Sequence, residues 1–190
     1  MIRWLTLLLF LSWLLFYWQG GFKILADIRS AFRSGASQLD AFLLVVLAVL
    51  GLGMTLTAVW AALNWAEPAA GDWLAAPGFF LTLTGVTGTF YCRAVLGKFW
   101  TAETACQSGH AIIDSGPYSM VRHPIYLFAI LLYSGLGLAF PAWWNLLAVV
   151  GIALGYALKA RDEEKFLERV LAGYADYEKR VRWRLLPGVW

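Results

Sequence analysis

Long apolar runs alternate with short polar islands along this chain. A helix needs about 20 apolar residues to cross a bilayer. Five runs approach that length, at roughly 3–22, 41–65, 78–97, 124–140 and 142–159. The first begins Trp4-Leu5-Thr6-Leu7-Leu8-Leu9-Phe10, is rich in aromatic residues and lacks a small-residue cleavage site, so a span is expected rather than a removed leader. The last two runs are joined by Phe140-Pro141-Ala142, which carries no charge and predicts a tight helical hairpin. No alternating strand pattern occurs. The expected fold is all-α: a polytopic membrane protein with about five transmembrane helices and a cytoplasmic C-terminal helix. It forms a single domain, 1–190, with N-terminal spans in 1–97 and a polar-rich second half, 98–190.

The polar islands set the orientation. Residues 23–40, 93–123 and 159–190 hold 14 of the 15 basic residues, and Arg3 stands alone on the other side. The positive-inside rule then places the N-terminus outside and the C-terminal tail in the cytoplasm. The low-charge loop 66–77 agrees. Composition supports the same class, with 61% hydrophobic and 14% charged residues, where soluble domains are about half apolar and a quarter charged. A net charge of +3 is too small to imply nucleic acid. Trp4, Trp65, Trp73 and Trp100 lie near run ends, as interfacial anchors would. Gly51, Gly53, Gly85, Gly88, Gly135 and Gly137 sit inside the runs and are expected to let helices approach closely. A bacterial or archaeal plasma membrane is expected, with the chain a monomer or weak homo-oligomer.

The two cysteines, Cys92 and Cys106, form no CxxC pair, so neither a zinc site nor a disulfide framework is expected. No GxGxxG, HExxH, Walker loop or nucleophile elbow appears. The chemistry is concentrated in two stretches. In the first, both histidines of the chain occur within His110-Ala111-Ile112-Ile113-Asp114-Ser115-Gly116-Pro117-Tyr118 and Arg122-His123-Pro124-Ile125-Tyr126. Ser115-Gly116-Pro117 reads as a turn, and Pro124 suits the first position of a helix. Arg122 and His123 then stand at a helix N-terminus, where donors and the dipole favour an anion such as a carboxylate.

The second stretch runs from Lys159 to Val170 and is read as a continuation of the fifth span. Glu163 has Phe166, Leu167 and Val170 at i+3, i+4 and i+7, which predicts that it faces inward. Glu164 lines up with Arg161 and Glu168 and is expected on the solvated face. An inward carboxylate needs a cation, either Lys159 one turn earlier or a bound ammonium. Donors for a carboxylate beside an acid for an ammonium complement the amino-acid end of a zwitterion, and rings such as Tyr118 and Tyr126 suit a flat base and a sulfonium.

Ser115-Gly116-Pro117-Tyr118, Arg122-His123-Pro124-Ile125-Tyr126, Glu163-Glu164, and Tyr174 and Tyr177 before Lys179-Arg180-Val181 together resemble the isoprenylcysteine carboxyl methyltransferase family, whose pattern phospholipid N-methyltransferases share. The likeness covers about residues 93–188. It implies an S-adenosylmethionine-dependent methyltransferase whose cofactor site lies in the 98–190 half. By position it implies cofactor contacts from Glu103, His110, Ala111, Ile112, Ile113, Tyr118, His123, Pro124, Tyr126, Glu163 and Glu164. It also implies catalytic roles for Arg122, Lys159 and Arg161 in holding the reacting groups. Lys159 stands where the family usually has Arg, and Phe128 where it usually has Gly.

The expected reaction transfers a methyl group to a lipid-like or apolar acceptor entering from the membrane. The acceptor is left open between the carboxylate of an isoprenylcysteine-like thioether, an amine and a thiol; a phospholipid amine is the nearest alternative. Two other readings stand beside it: a sterol-type reductase using NADPH, and a non-enzymatic lipid-binding scaffold.

Overall fold

The computed structural model describes residues 1–19, 38–64, 72–101, 104 and 111–190. The elements are α1 (Ile2–Gln19), α2 (Gln38–Asn64), α3 (Ala75–Leu96), α4 (Pro124–Ala139), α5 (Trp143–Val170) and α6 (Tyr174–Arg180), with short 3₁₀ turns at Asp72–Leu74, Gly97–Phe99 and Gly116–Ser119. No strand occurs among the described residues. The expected all-α class therefore holds.

Three helices are long and apolar enough to cross a membrane. They run over Gln38–Asn64, Ala75–Phe99 and Trp143–Val170. The other two predicted spans are apolar but shorter. α4 has 16 residues, about 24 Å at 1.5 Å per residue, which falls short of a hydrocarbon core of about 30 Å. The predicted boundaries fall within a few residues of the helix ends. The charged Lys159–Val170 stretch does continue the last span as one unbroken 28-residue helix.

α3 and α4 make the closest crossing. A Cβ at Gly85 would lie 2.5 Å from the Leu132 backbone nitrogen, and one at Gly135 would lie 2.4 Å from that of Thr82. Only hydrogen fits at these two positions, so the backbones touch, as small residues allow between membrane helices. Gly53 plays no such part, since nothing lies within 4 Å of its Cβ position. α1 lies against α3, where Trp13 Nε1 donates to Thr89 Oγ1 at 2.9 Å. Phe10, Met54, Leu132, Leu136 and Ile152 are fully buried between the helices.

Outside this core, Leu8, Val49, Leu52, Leu56, Phe80, Leu147 and Leu154 are exposed. A soluble protein does not tolerate such a belt, whereas lipid solvates it. One end of the bundle is defined by two contacts: Arg3 Nε donates to Ala139 O at 3.1 Å, and Trp144 Nε1 to Thr57 Oγ1 at 3.1 Å. Trp60, Trp73, Trp143 and Trp144 are exposed near this end. Of the tryptophans expected at interfaces, Trp73 fits. Trp4 instead packs against the core and Trp100 is buried beneath Arg93. Trp65 lies outside the described residues, as does Cys106.

At the opposite end the chain after α5 reverses at Gly173, whose φ of 85° is a left-handed conformation natural to glycine. α6 follows, and residues 181–185 then return beneath α4. The backbone N–H groups of Arg122 and His123 donate to Trp183 O and Arg184 O, both at 2.8 Å. The tail is thus hydrogen-bonded to the entrance of α4.

Candidate active site

Sequence dictates the entrance to α4 in three steps. Gly116, at φ 57°, opens the turn that the Ser-Gly-Pro triplet predicts. Tyr118 is buried there, and its carbonyl accepts from Tyr177 Oη at 2.8 Å. Pro124 then starts α4, with His123 as the residue before the first turn. Arg122, His123 and Pro124 are all buried.

Glu163 lines a cavity, as its inward-facing prediction requires, but Glu164 does not lie on the solvated face expected of it. Glu164 is the buried one. It accepts from Arg122 Nε at 2.7 Å, His123 Nε2 at 3.2 Å and Arg184 Nε at 2.6 Å. An ionised carboxylate only accepts, so Nε2 of His123 is assigned the proton. Arg122 Nη1 donates further to Val181 O at 2.8 Å and Arg182 O at 3.0 Å. The anion expected at the start of α4 is therefore the protein's own Glu164. Burial works against the Arg122 charge, but Glu164 outweighs it and raises the guanidinium pKa. Burial also pushes the Tyr174 and Tyr177 phenols well above their ordinary range.

Glu163 points elsewhere. Its side chain is about a quarter exposed, its Oε2 accepts from Tyr126 Oη at 2.5 Å, and His123 Nδ1 lies 3.8 Å away. His123 thus stands between the two acids. Its ring stacks on Tyr126 at 5.3 Å and 4°, and Tyr126 stacks on Tyr156 at 4.9 Å.

These groups open onto a cavity of about 320 Å³. Its wall includes Ala111, Ile112, Ile113, Tyr118, Arg122, His123, Tyr126, Lys159 and Glu163, all expected at a site. From this polar end the cavity runs inward along Ala129 and Tyr133 of α4 to Trp13, Leu14, Leu44 and Leu47 of α1 and α2. Three expected residues do not line it. Pro124 and Glu164 are buried behind the wall, and Arg161 is exposed with its guanidinium 5.3 Å from the Trp190 ring centre. Glu103 and His110 lie outside the described residues.

Of the two cations open to Glu163, Lys159 is taken elsewhere. It is not paired with Glu163 but makes a buried ion pair with Asp40 of α2. Asp40, Tyr156, Arg184 and the apolar wall from α1 and α2 were not read from the sequence as site residues. A charged residue next to a long apolar run was the one available signal for Asp40. Nothing local marked Arg184 as the partner of an acid 20 residues earlier. Among the described residues, no three His, Cys, Asp or Glu side chains are grouped to hold a metal ion.

Comparison with known proteins adds a family. The cobalt-zinc-cadmium resistance protein CzcN of Cupriavidus metallidurans is 31% identical over 117 residues, covering 58% of this chain and 50% of the relative. The nickel-cobalt-cadmium resistance protein NccN of Alcaligenes xylosoxydans xylosoxydans is 31% identical over 112 residues, covering 57% and 50%. The chain thus spans about half the length of these curated relatives. The phospholipid methyltransferase model matches residues 66–173, more than half of the 190-residue chain. The match takes in the entrance to α4 and both acids of α5, and on it the chain belongs to the phospholipid methyltransferase family.

Proposed function

We propose that the cavity binds S-adenosylmethionine and that the chain transfers its methyl group to a lipid-like or apolar acceptor at the cytoplasmic membrane face. The observation that carries this reading is one acid, Glu163, opening beside stacked aromatic rings at the polar end of a cavity whose other end is apolar and intramembrane. The donor set fits such a cofactor. Glu163 supplies an acceptor for an ammonium, and its described ion-pair partner is His123 alone. Arg122 commits Nε and Nη1 to the protein. Its Nη2 has no hydrogen-bond partner among the described residues and is the donor left for a ligand carboxylate. Ile112 and Ile113 offer an apolar wall for a base, and the faces of Tyr126 and Tyr156 suit a sulfonium.

When bound, the cofactor supplies an electrophilic methyl carbon. The protein's part is positioning, which can supply on the order of 7–11 kcal/mol of a displacement barrier. The Glu164 cluster fixes Arg122 and His123, and the stacked rings fix the direction of approach. The apolar limb between α1, α2 and α4 holds the acceptor and excludes water. Five crossings, with the basic end in the cytoplasm, complete this reading. The cofactor then enters from the aqueous side and the acceptor from lipid.

The test is titration calorimetry of the purified protein with S-adenosylmethionine. Wild type is expected to bind, as is Arg161→Gln, whose side chain lies away from the cavity. Glu163→Ala and His123→Ala are expected to lose binding while keeping the helical circular-dichroism spectrum. Equal binding by wild type and both alanine variants removes the site.

A further inference from the structure

Asp40 has no part in the chemistry above, yet it is fully buried at the start of α2. One carboxylate oxygen accepts from the Thr104 backbone N–H at 3.0 Å. The other accepts from the Thr104 hydroxyl at 3.0 Å and from the Lys159 ammonium. Lys159 is itself buried, and its Nζ lies 3.5 Å from the Thr104 hydroxyl. It also forms part of the cavity wall, one helical turn before Glu163.

A lone ammonium in a low-dielectric wall attracts any carboxylate that reaches it, because Coulomb attraction is poorly screened there. Here the chain supplies the carboxylate itself, from 119 positions away in sequence. The resulting pair presents a dipole, whose field falls off faster than that of a charge. Arg122 is paired with Glu164, which leaves its Nη2 for the cofactor carboxylate and not for a second acid. Among the described residues, the remaining carboxylate on the wall is Glu163, which repels anions.

We propose that Asp40 is a specificity-determining residue: by neutralising Lys159 within the cavity wall, it makes the site refuse carboxylate-bearing apolar molecules and accept neutral or amine-bearing ones. This deepens the reading of the cavity as an acceptor site and rests on it for its biological meaning. The electrostatic statement is tested separately, by binding.

The probe is dodecanoate, titrated into the full chain in nanodiscs of zwitterionic lipid, with S-adenosylhomocysteine titrated in parallel. Asp40→Asn is expected to bind dodecanoate at least tenfold more tightly than wild type, and adding Lys159→Gln is expected to remove that gain. Equal dodecanoate affinity in wild type and Asp40→Asn overturns the proposal. Where Asp40→Asn does not fold, the doubly neutral Asp40→Asn/Lys159→Gln variant decides. Its dodecanoate affinity is expected within twofold of wild type, because positions 40 and 159 carry no net charge in either protein. A fall of tenfold or more shows that Lys159 itself holds the carboxylate, and overturns the proposal. Failure of wild type to bind S-adenosylhomocysteine sinks the cofactor reading alone and leaves the dodecanoate comparison to be judged on its own.

Discussion

Replacing Glu164 by Ala tests the assignment of the two adjacent acids. Glu164 receives three donors, from Arg122, His123 and Arg184, in a setting where its own side chain is only 3% exposed. Removing it leaves the buried Arg122 guanidinium with only the more distant Glu178, 3.6 Å from its Nε, as a carboxylate partner. Breaking a buried pair from one side costs about 3–5 kcal/mol, because the surviving charge is stranded. For a chain of this size each kcal/mol lowers the melting temperature by about 2–4 °C, so a fall of about 10 °C is expected. Glu163→Gln keeps an acceptor for Tyr126 and strands no charge, and a change under about 1 kcal/mol is expected there. Cys92 gives the assay, since it is a fully buried free thiol that reacts with a fluorogenic maleimide only on unfolding. A Cys106→Ser background removes the second thiol. Cofactor affinity is measured on the same samples. The expected pattern crosses over, with Glu164→Ala losing stability and Glu163→Gln losing cofactor affinity. If both variants melt with wild type, or Glu163→Gln melts far earlier than Glu164→Ala, the division of roles is wrong.

Three further predictions concern the scaffold. Gly85→Ala forces a Cβ to 2.5 Å from the Leu132 backbone and is expected to cost about 1–3 kcal/mol through overpacking; Gly53→Ala, with open space around it, is expected to be neutral or to stabilise by up to about 1 kcal/mol, both read by the same thiol melt. Tyr177→Phe removes the donor to the Tyr118 carbonyl and is expected to cost about 0.5–1.5 kcal/mol at pH 7. The folded phenols of Tyr174 and Tyr177 titrate above their unfolded value of about 10. Their contribution is therefore complete below about pH 10 and is lost as pH rises from there, and substituting both by Phe is expected to flatten the fall in melting temperature above that pH.

Much of the fold was legible because lipid-facing helices announce themselves as apolar runs, and the polar island between α3 and α4 carried its turn, its Pro124 helix start and its cationic pair in consecutive residues. The burial of Glu164 was not legible, for a specific reason. The i+3, i+4, i+7 argument assumes that apolar neighbours face the protein interior. In a membrane protein apolar side chains also face outward, and Val170, counted toward the buried stripe of Glu163, is exposed. Asp40 and Arg184 were missed for another reason. Their partners are 119 and 20 positions distant, and no local pattern encodes a pairing that exists only once α2 meets α5 and the tail folds back.

Those distant pairings also explain why two chemically identical neighbours are not interchangeable. Successive residues of a helix point about 100° apart, since 3.6 residues complete a turn. At one level of α5, Glu164 therefore faces the returning tail and the entrance to α4, while Glu163 faces the cavity. His123 touches both sides, with Nε2 on Glu164 and Nδ1 toward Glu163. The buried acid holds the ring in place, and the ring presents its other nitrogen beside the acid that remains available to a ligand. An Asp or Glu at either position alone would have to choose between bracing the entrance and facing the cavity. The pair does both, and its cost in buried charge is offset by Arg122 and Arg184, cations that the fold brings together only when the tail is docked.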